Sequence, residues 1–143
     1  MKILVLNGPN LNLLGSREVD LYGSASYADL VAHCRAEGEK AGVDVEVRQT
    51  NHEGVLVDWI QESKDVFDAV VLNAAAYTHT SLAIYDAIKA VRARVAEVHL
   101  TDPMEREDFR RFSYVALAAE RTFSGMGFGS YTAAIRHFAG KDS

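Results

Sequence analysis

Residues able to bind an anion or move a proton follow each of four segments that have the pattern of buried strands. They are amides, histidines, acids and arginines, namely Asn7, Asn10, Asn51, His52, Glu53, Asn73, His79, Glu97, His99, Arg106 and Arg110. Turn chemistry alone explains such residues after one or two strands, because they cap helices and tolerate unusual backbone angles. Four such junctions together favour a ligand site at the carboxyl ends of the strands.

The stretch EVHLTDPMEREDFRR, residues 97–111, gives the strongest indication of acid–base chemistry. Glu97 and His99 are two residues apart on a predicted strand, so their side chains point to the same side and the carboxylate can orient the imidazole. The alternative is a metal site, but no diagnostic ligand spacing occurs among His52, Glu53, His79, Glu97 and His99. The sequence therefore favours an acid–base histidine over a metal centre.

Several other chemistries lack the residues that they require. No lysine follows a predicted strand, which disfavours a Schiff base. Cys34 lies on the apolar stripe of a predicted helix and is expected in the core. The loop GPNLNLLGS has no Lys-Ser/Thr ending and no G-x-G-x-x-G follows the first strand, which disfavours a nucleotide or flavin binder. The later GMGFGS could approach a phosphate, although a tight turn explains its glycines better. Acid–base chemistry on an anionic, hydroxyl-rich small molecule remains.

Composition bounds the class of protein. The chain has 143 residues, a net charge of −5 and no biased tract, as expected for a single domain spanning 1–143. A sequence pI near 5.5 argues against nucleic-acid binding, which depends on a cationic face. The start MKILVLNGPN does not resemble a signal peptide, and no segment is apolar enough to cross a membrane. The single cysteine predicts a cytoplasmic protein.

Strand-like and helix-like segments alternate along the chain, which predicts an α/β fold with helices on both faces of a parallel sheet. The five-stranded flavodoxin-like order 2-1-3-4-5 suits this pattern, and ligands of such sheets bind beyond the carboxyl ends of the strands. Strands are predicted at 2–6, 43–47, 69–72 and 95–100, with a short fifth within 113–127. Helices are predicted at 27–41, around 55–60, at 81–93, from Pro103 through MEREDFRRF, and around 131–138. His33 and His137 fall within helices and are expected at surface or half-buried positions.

Six motifs in one order carry a family resemblance. They are ILVLNGPNLNLLGSRE, the YG at Tyr22, NHEG at Asn51, YTHTS at Tyr77, EVHL at Glu97 and the arginine-rich segment from Arg106. Between Ile3 and about Ser113 the chain resembles type II 3-dehydroquinate dehydratase. The resemblance implies a flavodoxin-like subunit, a dodecamer built as a tetramer of trimers, and reversible dehydration of 3-dehydroquinate to 3-dehydroshikimate. It also implies no metal, Schiff base or other cofactor.

The resemblance assigns the catalytic roles position by position. Tyr22 matches the base, and Arg17 matches the lid arginine beside it. Asn10 matches the residue that helps to hold the water stabilising the enolate. His99, oriented by Glu97, matches the general acid. A tyrosine with a pKa near 10 is a poor base at neutral pH, so Arg17 must favour the phenolate when the lid excludes water.

The substrate-binding roles come from the same resemblance. Asn73, Leu100 and Thr101 would hold the carboxylate, the last two partly through backbone N–H groups. His79 and Arg110 would contact ring hydroxyls.

Two further roles concern closure and assembly. Arg106 would close over the site with a mobile lid, which we expect from about Leu14 to Ser24. Asp86 would reach the site of a neighbouring subunit.

The chain departs from the family pattern at several positions. Val19 replaces a lid proline, Ala74 and Ala75 replace Pro-Gly, and Asp102 replaces asparagine beside Thr101, which replaces serine. Residues 114–127 depart most. These changes keep a second hypothesis open, namely a non-catalytic member that binds dehydroquinate or a similar polyol acid. The same residues would serve aromatic biosynthesis or quinate breakdown.

Overall fold

A computed structural model describes residues 1–16, 20 and 23–141. Five strands form one parallel sheet in the order β2-β1-β3-β4-β5, which confirms the predicted flavodoxin-like topology. The strands are β1 Lys2–Asn7, β2 Asp44–Gln49, β3 Ala69–Asn73, β4 Val95–Val98 and β5 Arg121–Phe123. Because the strands are parallel, their carboxyl ends lie along one edge, referred to below as the carboxyl edge.

Five α-helices occur in the described part of the chain. They are α1 Tyr27–Ala41, α2 Glu53–Val66, α3 Leu82–Val91, α4 Tyr114–Ala118 and α5 Gly129–Phe138. Helix α1 has the bounds that the sequence predicted, because Ser26 and Asp29 form a capping box and Gly42 ends the helix with a φ of 76°. Short 3₁₀ helices occupy Leu11–Leu13, Ala75–His79, Pro103–Glu105 and Asp108–Arg110.

The sheet is covered on both faces, so its central strands β1 and β3 are apolar between their ends. Alternate residues of β1, such as Ile3 and Leu4, enter two separate cores. The first core contains α1 and α5, and the second contains α2, α3 and α4. Cys34 is buried in the first core as predicted, and burial together with nearby Glu37 raises the pKa of its thiol to about 12. The core therefore holds the two central strands, and their ends, in fixed positions.

The predicted helix after Pro103 is wrong. Asp102 accepts a hydrogen bond from the Met104 N–H and opens one 3₁₀ turn, but Arg106 then adopts an extended backbone and splits the segment. A second turn follows at Asp108–Arg110. Helix α4, which the sequence did not predict, lies just beyond it. The segment after β4 is thus a chain of short turns along the carboxyl edge.

Within residues 1–16, 20 and 23–141, no helix is long and apolar enough to cross a membrane. His33 and His137 are half-buried in α1 and α5, as predicted.

Candidate active site

A cavity of about 120 Å³ lies at the carboxyl edge and brings together eight of the residues predicted from the sequence. They are Asn10, Asn73, His79, His99, Leu100, Thr101, Arg106 and Arg110. Pro9, Leu11, Leu14, Ala75, Ala76 and Pro103 complete the wall.

Close approach of two loops forms one side of the cavity. Asn7 and Asn73 are paired in register at the ends of β1 and β3, and the Gly8 N–H donates to the Asn73 carbonyl at 2.8 Å. A Cβ at Gly8 would lie 2.5 Å from the Ala74 carbonyl oxygen, so only glycine fits. This contact sets the loop that carries Asn10 against the loop that follows β3.

His99 follows β4 and is held by a buried carboxylate. Its Nε2 lies 2.8 Å from Oε2 of Glu97, and its backbone N–H donates to the Phe123 carbonyl at 3.0 Å. Glu97 is only 2% exposed and also accepts hydrogen bonds from Ser113 Oγ at 2.5 Å and Thr122 Oγ1 at 2.8 Å. Since the carboxylate accepts the Nε2 hydrogen, the tautomer and the ring orientation of His99 are both fixed.

Glu97 is ionised at neutral pH despite its burial. Burial by itself would raise the pKa of this carboxyl. The hydrogen bond and charge of His99, with the hydroxyls of Ser113 and Thr122, outweigh burial and lower the pKa below its ordinary value of 4.5. A fixed negative charge therefore lies behind the imidazole that faces the cavity.

The Glu97 interactions should make stability depend on acidity. Because folding lowers this pKa, the contribution is complete above pH 4.5 and is lost as the pH falls through the folded value. We expect Glu97→Gln to lower the free energy of unfolding at pH 7 by about 1–3 kcal/mol. Urea unfolding between pH 7 and 3 should show this difference narrowing below pH 4.5. Glu39→Gln, on the exposed side of α1, is the control, and a difference that does not change with pH would contradict the explanation.

Asn73 ends β3 and is fixed through both atoms of its amide. Its Oδ1 accepts the Ala75 N–H at 3.1 Å, and its Nδ2 donates to the hydroxyl of Tyr131 at 2.9 Å. Ala75 takes a φ of 52°, the left-handed conformation for which glycine is suited. The chain thus keeps the turn after β3 although it lacks glycine there.

The left-handed conformation of Ala75 has a measurable cost. We expect Ala75→Gly to raise the free energy of unfolding by about 1 kcal/mol, because a Cβ at positive φ crowds the following carbonyl. Ala76→Gly, one residue on in the same 3₁₀ turn, should instead lower it by about 0.5–1 kcal/mol. Chemical denaturation of both variants tests this, and a loss of stability in Ala75→Gly would contradict it.

The basic side of the cavity comes from the turns after β4 and the turn after β3. Arg110 Nε donates to Glu107 at 3.0 Å, and Arg106 Nε lies 3.5 Å from the same carboxylate. Nδ1 of His79 lies 2.8 Å from the Phe112 carbonyl oxygen. Asp102 lines a neighbouring cavity, not this one, and its carboxylate caps the Met104 turn. The cavity therefore has a cationic wall although the chain is acidic overall.

Some predicted residues lie away from the cavity. Asn51 accepts the Asn10 N–H at 3.0 Å and so supports the first loop, while His52 and Glu53 begin α2 outside the cavity wall. Asp86 is exposed on α3 and does not line the cavity of its own chain.

Part of the predicted site falls outside the described residues. Arg17, Val19 and Tyr22 all do so. The proposed lid from Leu14 to Ser24 is therefore described only in part, and its mobility stays a prediction. Leu14 itself contributes to the cavity wall.

The sequence did not predict the residues that hydrogen-bond to Glu97 and Asn73 without lining the cavity themselves. Ser113 and Thr122, whose hydroxyls donate to Glu97, lie within residues 113–127, where the sequence predicted only a short fifth strand. Tyr131 lies in the final helix predicted around 131–138; its ring packs in the first core, but its hydroxyl hydrogen-bonds to Asn73. Its helical spacing gave no signal of a polar role.

No group of three or more His, Cys, Asp or Glu side chains that could hold a metal occurs among residues 1–16, 20 and 23–141.

The fold and site together define a flavodoxin-like protein with a small cavity, lined by arginines and histidines, at the carboxyl edge. The family model for class II dehydroquinase matches residues 1–139, and the chain belongs to this family. A 3-dehydroquinate dehydratase of Caulobacter sp. (strain K31) is 50% identical over 138 residues, covering 96% of this chain and 94% of that protein. One of Phenylobacterium zucineum (strain HLK1) is 50% identical over 138 residues, covering 96% and 95%.

A solved structure supports the same relationship. The type II dehydroquinase of Butyrivibrio crossotus DSM 2876 superimposes with a TM-score of 0.93 at 42% identity, covering 96% of each chain. The fold, the sheet order and the family predicted from the sequence are therefore confirmed.

Proposed function

We propose that this chain is a 3-dehydroquinate dehydratase that forms 3-dehydroshikimate through an enolate, with a tyrosine base and a histidine acid. The observation that carries the proposal is the buried Glu97–His99 pair, with Nε2 and Oε2 2.8 Å apart, at the wall of a small cationic cavity. The 50% identical relatives that bear this enzyme name support it.

The cavity wall suits a ring that carries a carboxylate and hydroxyls. Asn73, with the backbone N–H groups of Leu100 and Thr101, would bind the carboxylate. His79 and Arg110 would contact ring hydroxyls, and Arg106 would close over the bound ring. Since neutral and charged donors converge on one small volume, an anionic ligand is favoured there over a neutral one.

The reaction requires two proton transfers, with an enolate formed between them. Tyr22, as the phenolate stabilised by Arg17, would take the proton next to the ketone, and Asn10 with a bound water would stabilise the enolate oxygen. His99, as the imidazolium stabilised by Glu97, would then protonate the leaving hydroxyl, which departs as water. The ionised state of Glu97 is what its lowered pKa supports.

We also propose that residues 1–143 form a single catalytic domain that assembles into a homo-oligomer, a dodecamer built as a tetramer of trimers. Leu82, on the same face of α3 as Asp86, is 53% exposed, and Phe109 is 69% exposed. Burial of such side chains between subunits would carry Asp86 to a neighbouring site. Solution mass tests this assembly.

A cytoplasmic location stays a prediction from the single buried cysteine.

One assay tests the activity against its alternatives. Purified protein is incubated with 3-dehydroquinate, with and without a chelator, and the conjugated enone absorbance of the product is followed. Turnover that is unaffected by the chelator is the expected result. Binding without turnover would instead support the non-catalytic hypothesis, and a bound flavin spectrum without turnover would support the flavin binder. Loss of turnover on chelation would overturn the metal-free mechanism.

A further inference from the structure

A buried chain of hydrogen bonds connects the C-terminal helix to the cavity wall. The hydroxyl of Tyr131, in α5, donates to Asn7 Oδ1 at 2.6 Å and accepts from Asn73 Nδ2 at 2.9 Å. Tyr131 and Asn7 are fully buried, and Asn73 is 3% exposed. Of these three residues only Asn73 reaches the cavity.

Backbone groups at the two ends fix the direction of every bond in this chain. At one end Asn7 Nδ2 donates to the Arg48 carbonyl, 3.4 Å away, which can only accept. Asn7 Oδ1 must then be an acceptor, so the Tyr131 hydroxyl donates to it. At the other end the Ala75 N–H can only donate, and it is paired with Asn73 Oδ1 at 3.1 Å.

The Asn73 amide is therefore fixed in one of its two orientations. The remaining lone pairs of the Tyr131 oxygen face Asn73 Nδ2, and the reversed amide would place an oxygen against that oxygen. Burial raises the pKa of Tyr131 well above 10, partly opposed by its bond with Asn73, so the hydroxyl keeps its proton at neutral pH. The bonds of the described residues use one Nδ2 hydrogen of Asn73 and leave the second for a ligand.

We propose that Tyr131 is a positioning residue that, together with the Ala75 N–H, makes Asn73 present its N–H, and not its carbonyl oxygen, to the substrate carboxylate. This inference rests on the proposed function, in which Asn73 binds that carboxylate. The amide orientation matters because a carboxylate only accepts hydrogen bonds, so a reversed Asn73 would repel it. Tyr131 of α5 would thus affect which ligand binds, although it does not contact the ligand.

Two related ligands can show whether Tyr131 positions the Asn73 amide or only stabilises the fold. Quinate and quinamide are ring polyols that differ in carrying a carboxylate or a carboxamide. A carboxamide both donates and accepts, so it can pair with either orientation of Asn73, whereas a carboxylate pairs with only one. A variant that merely loosens the site should weaken both ligands equally.

The variants are Tyr131→Phe and, as matched control, Tyr27→Phe, which removes another phenol oxygen close to Asn7 but one step further from Asn73. For Tyr131→Phe we expect the quinate inhibition constant and the KM for 3-dehydroquinate to rise about tenfold. The quinamide constant and kcat should stay within about threefold. Tyr27→Phe should leave all four values within about threefold. Thermal melts show that each variant is folded at the assay temperature.

A second variant covers the case in which Tyr131→Phe does not fold. Asn7→Leu removes the acceptor of the Tyr131 hydroxyl, which can then donate to the oxygen of a reversed Asn73, so the same selective loss for quinate is expected. Equal losses for quinate and quinamide, no loss, or an equal effect in Tyr27→Phe would overturn the positioning role. Absence of 3-dehydroquinate turnover in the wild-type protein would instead refute the proposed function. Dissociation constants of quinate and quinamide, measured by calorimetry, would then still test Tyr131.

Discussion

Replacement of His99 by asparagine is expected to lower kcat for 3-dehydroquinate about 10²- to 10⁴-fold, the usual contribution of a positioned general acid. Asparagine removes the imidazole that would donate the proton, while the buried carboxylate of Glu97 keeps its hydrogen bonds from Ser113 and Thr122, so the fold should survive. KM should change little, because other residues of the cavity, such as Asn73 and Arg110, are the ones proposed to bind the substrate. Steady-state kinetics with purified variant measures both quantities.

A second histidine in the same chain provides the control for this experiment. His33 is half-buried on α1, where its Nε2 lies 2.7 Å from Thr132 Oγ1, and it does not line the cavity. His33→Asn should keep kcat within about threefold, as for a change away from the chemistry. A loss of kcat in His99→Asn no larger than that in His33→Asn would exclude His99 as the general acid.

Sequence patterns predicted the strands and helix α1 because the residues that determine them are close together in the chain. The apolar runs of β1 and β3, and the capping box before α1, depend on residues near one another in the chain. Parallel topology then places the polar residues that follow each strand at one edge, which is why Asn73 and His99 could be expected to share a cavity.

Patterns failed where a residue serves two environments. The ring of Tyr131 packs in a core, and its hydroxyl hydrogen-bonds to Asn7 and Asn73. Helical spacing predicts the burial of the ring but not the hydrogen bonds of the hydroxyl. Ala75 holds a left-handed turn that its residue type disfavours, so its conformation follows from the loop around it and not from propensity. The split of the segment after Pro103 likewise depends on Arg106, whose backbone leaves the helical region.

The proposed substrate is an anion, and an acidic chain could bind it because the charges that matter are local. The net charge of −5 acts over the whole surface, whereas Arg106, Arg110 and two histidines face one small volume. Glu97 adds a negative charge close to this wall, but it lies behind His99 and is compensated by three hydrogen bonds. In the proposed mechanism the same carboxylate, which would repel a substrate in contact with it, would stabilise the imidazolium form of His99.

Replacement of Tyr22 by phenylalanine is expected to lower kcat by about 10³-fold or more, towards the upper range for loss of a general base. Phenylalanine keeps the ring and removes only the oxygen that would accept the substrate proton, so KM should change little. Tyr27→Phe is the matched control and should keep kcat within about threefold, because it also removes one phenol oxygen but lies outside the cavity wall.

Solvent deuterium distinguishes this variant from the histidine variant, because the two should block different steps. In D₂O, Tyr22→Phe should incorporate no deuterium next to the ketone of 3-dehydroquinate, since no enolate forms. His99→Asn should incorporate deuterium into unreacted substrate, since the enolate forms and returns without losing the hydroxyl. Mass spectrometry of recovered substrate measures both. Deuterium uptake by Tyr22→Phe at the wild-type rate would mean that another group removes the proton. If neither variant takes up deuterium, His99 would be needed to form the enolate, and not only to protonate the leaving hydroxyl.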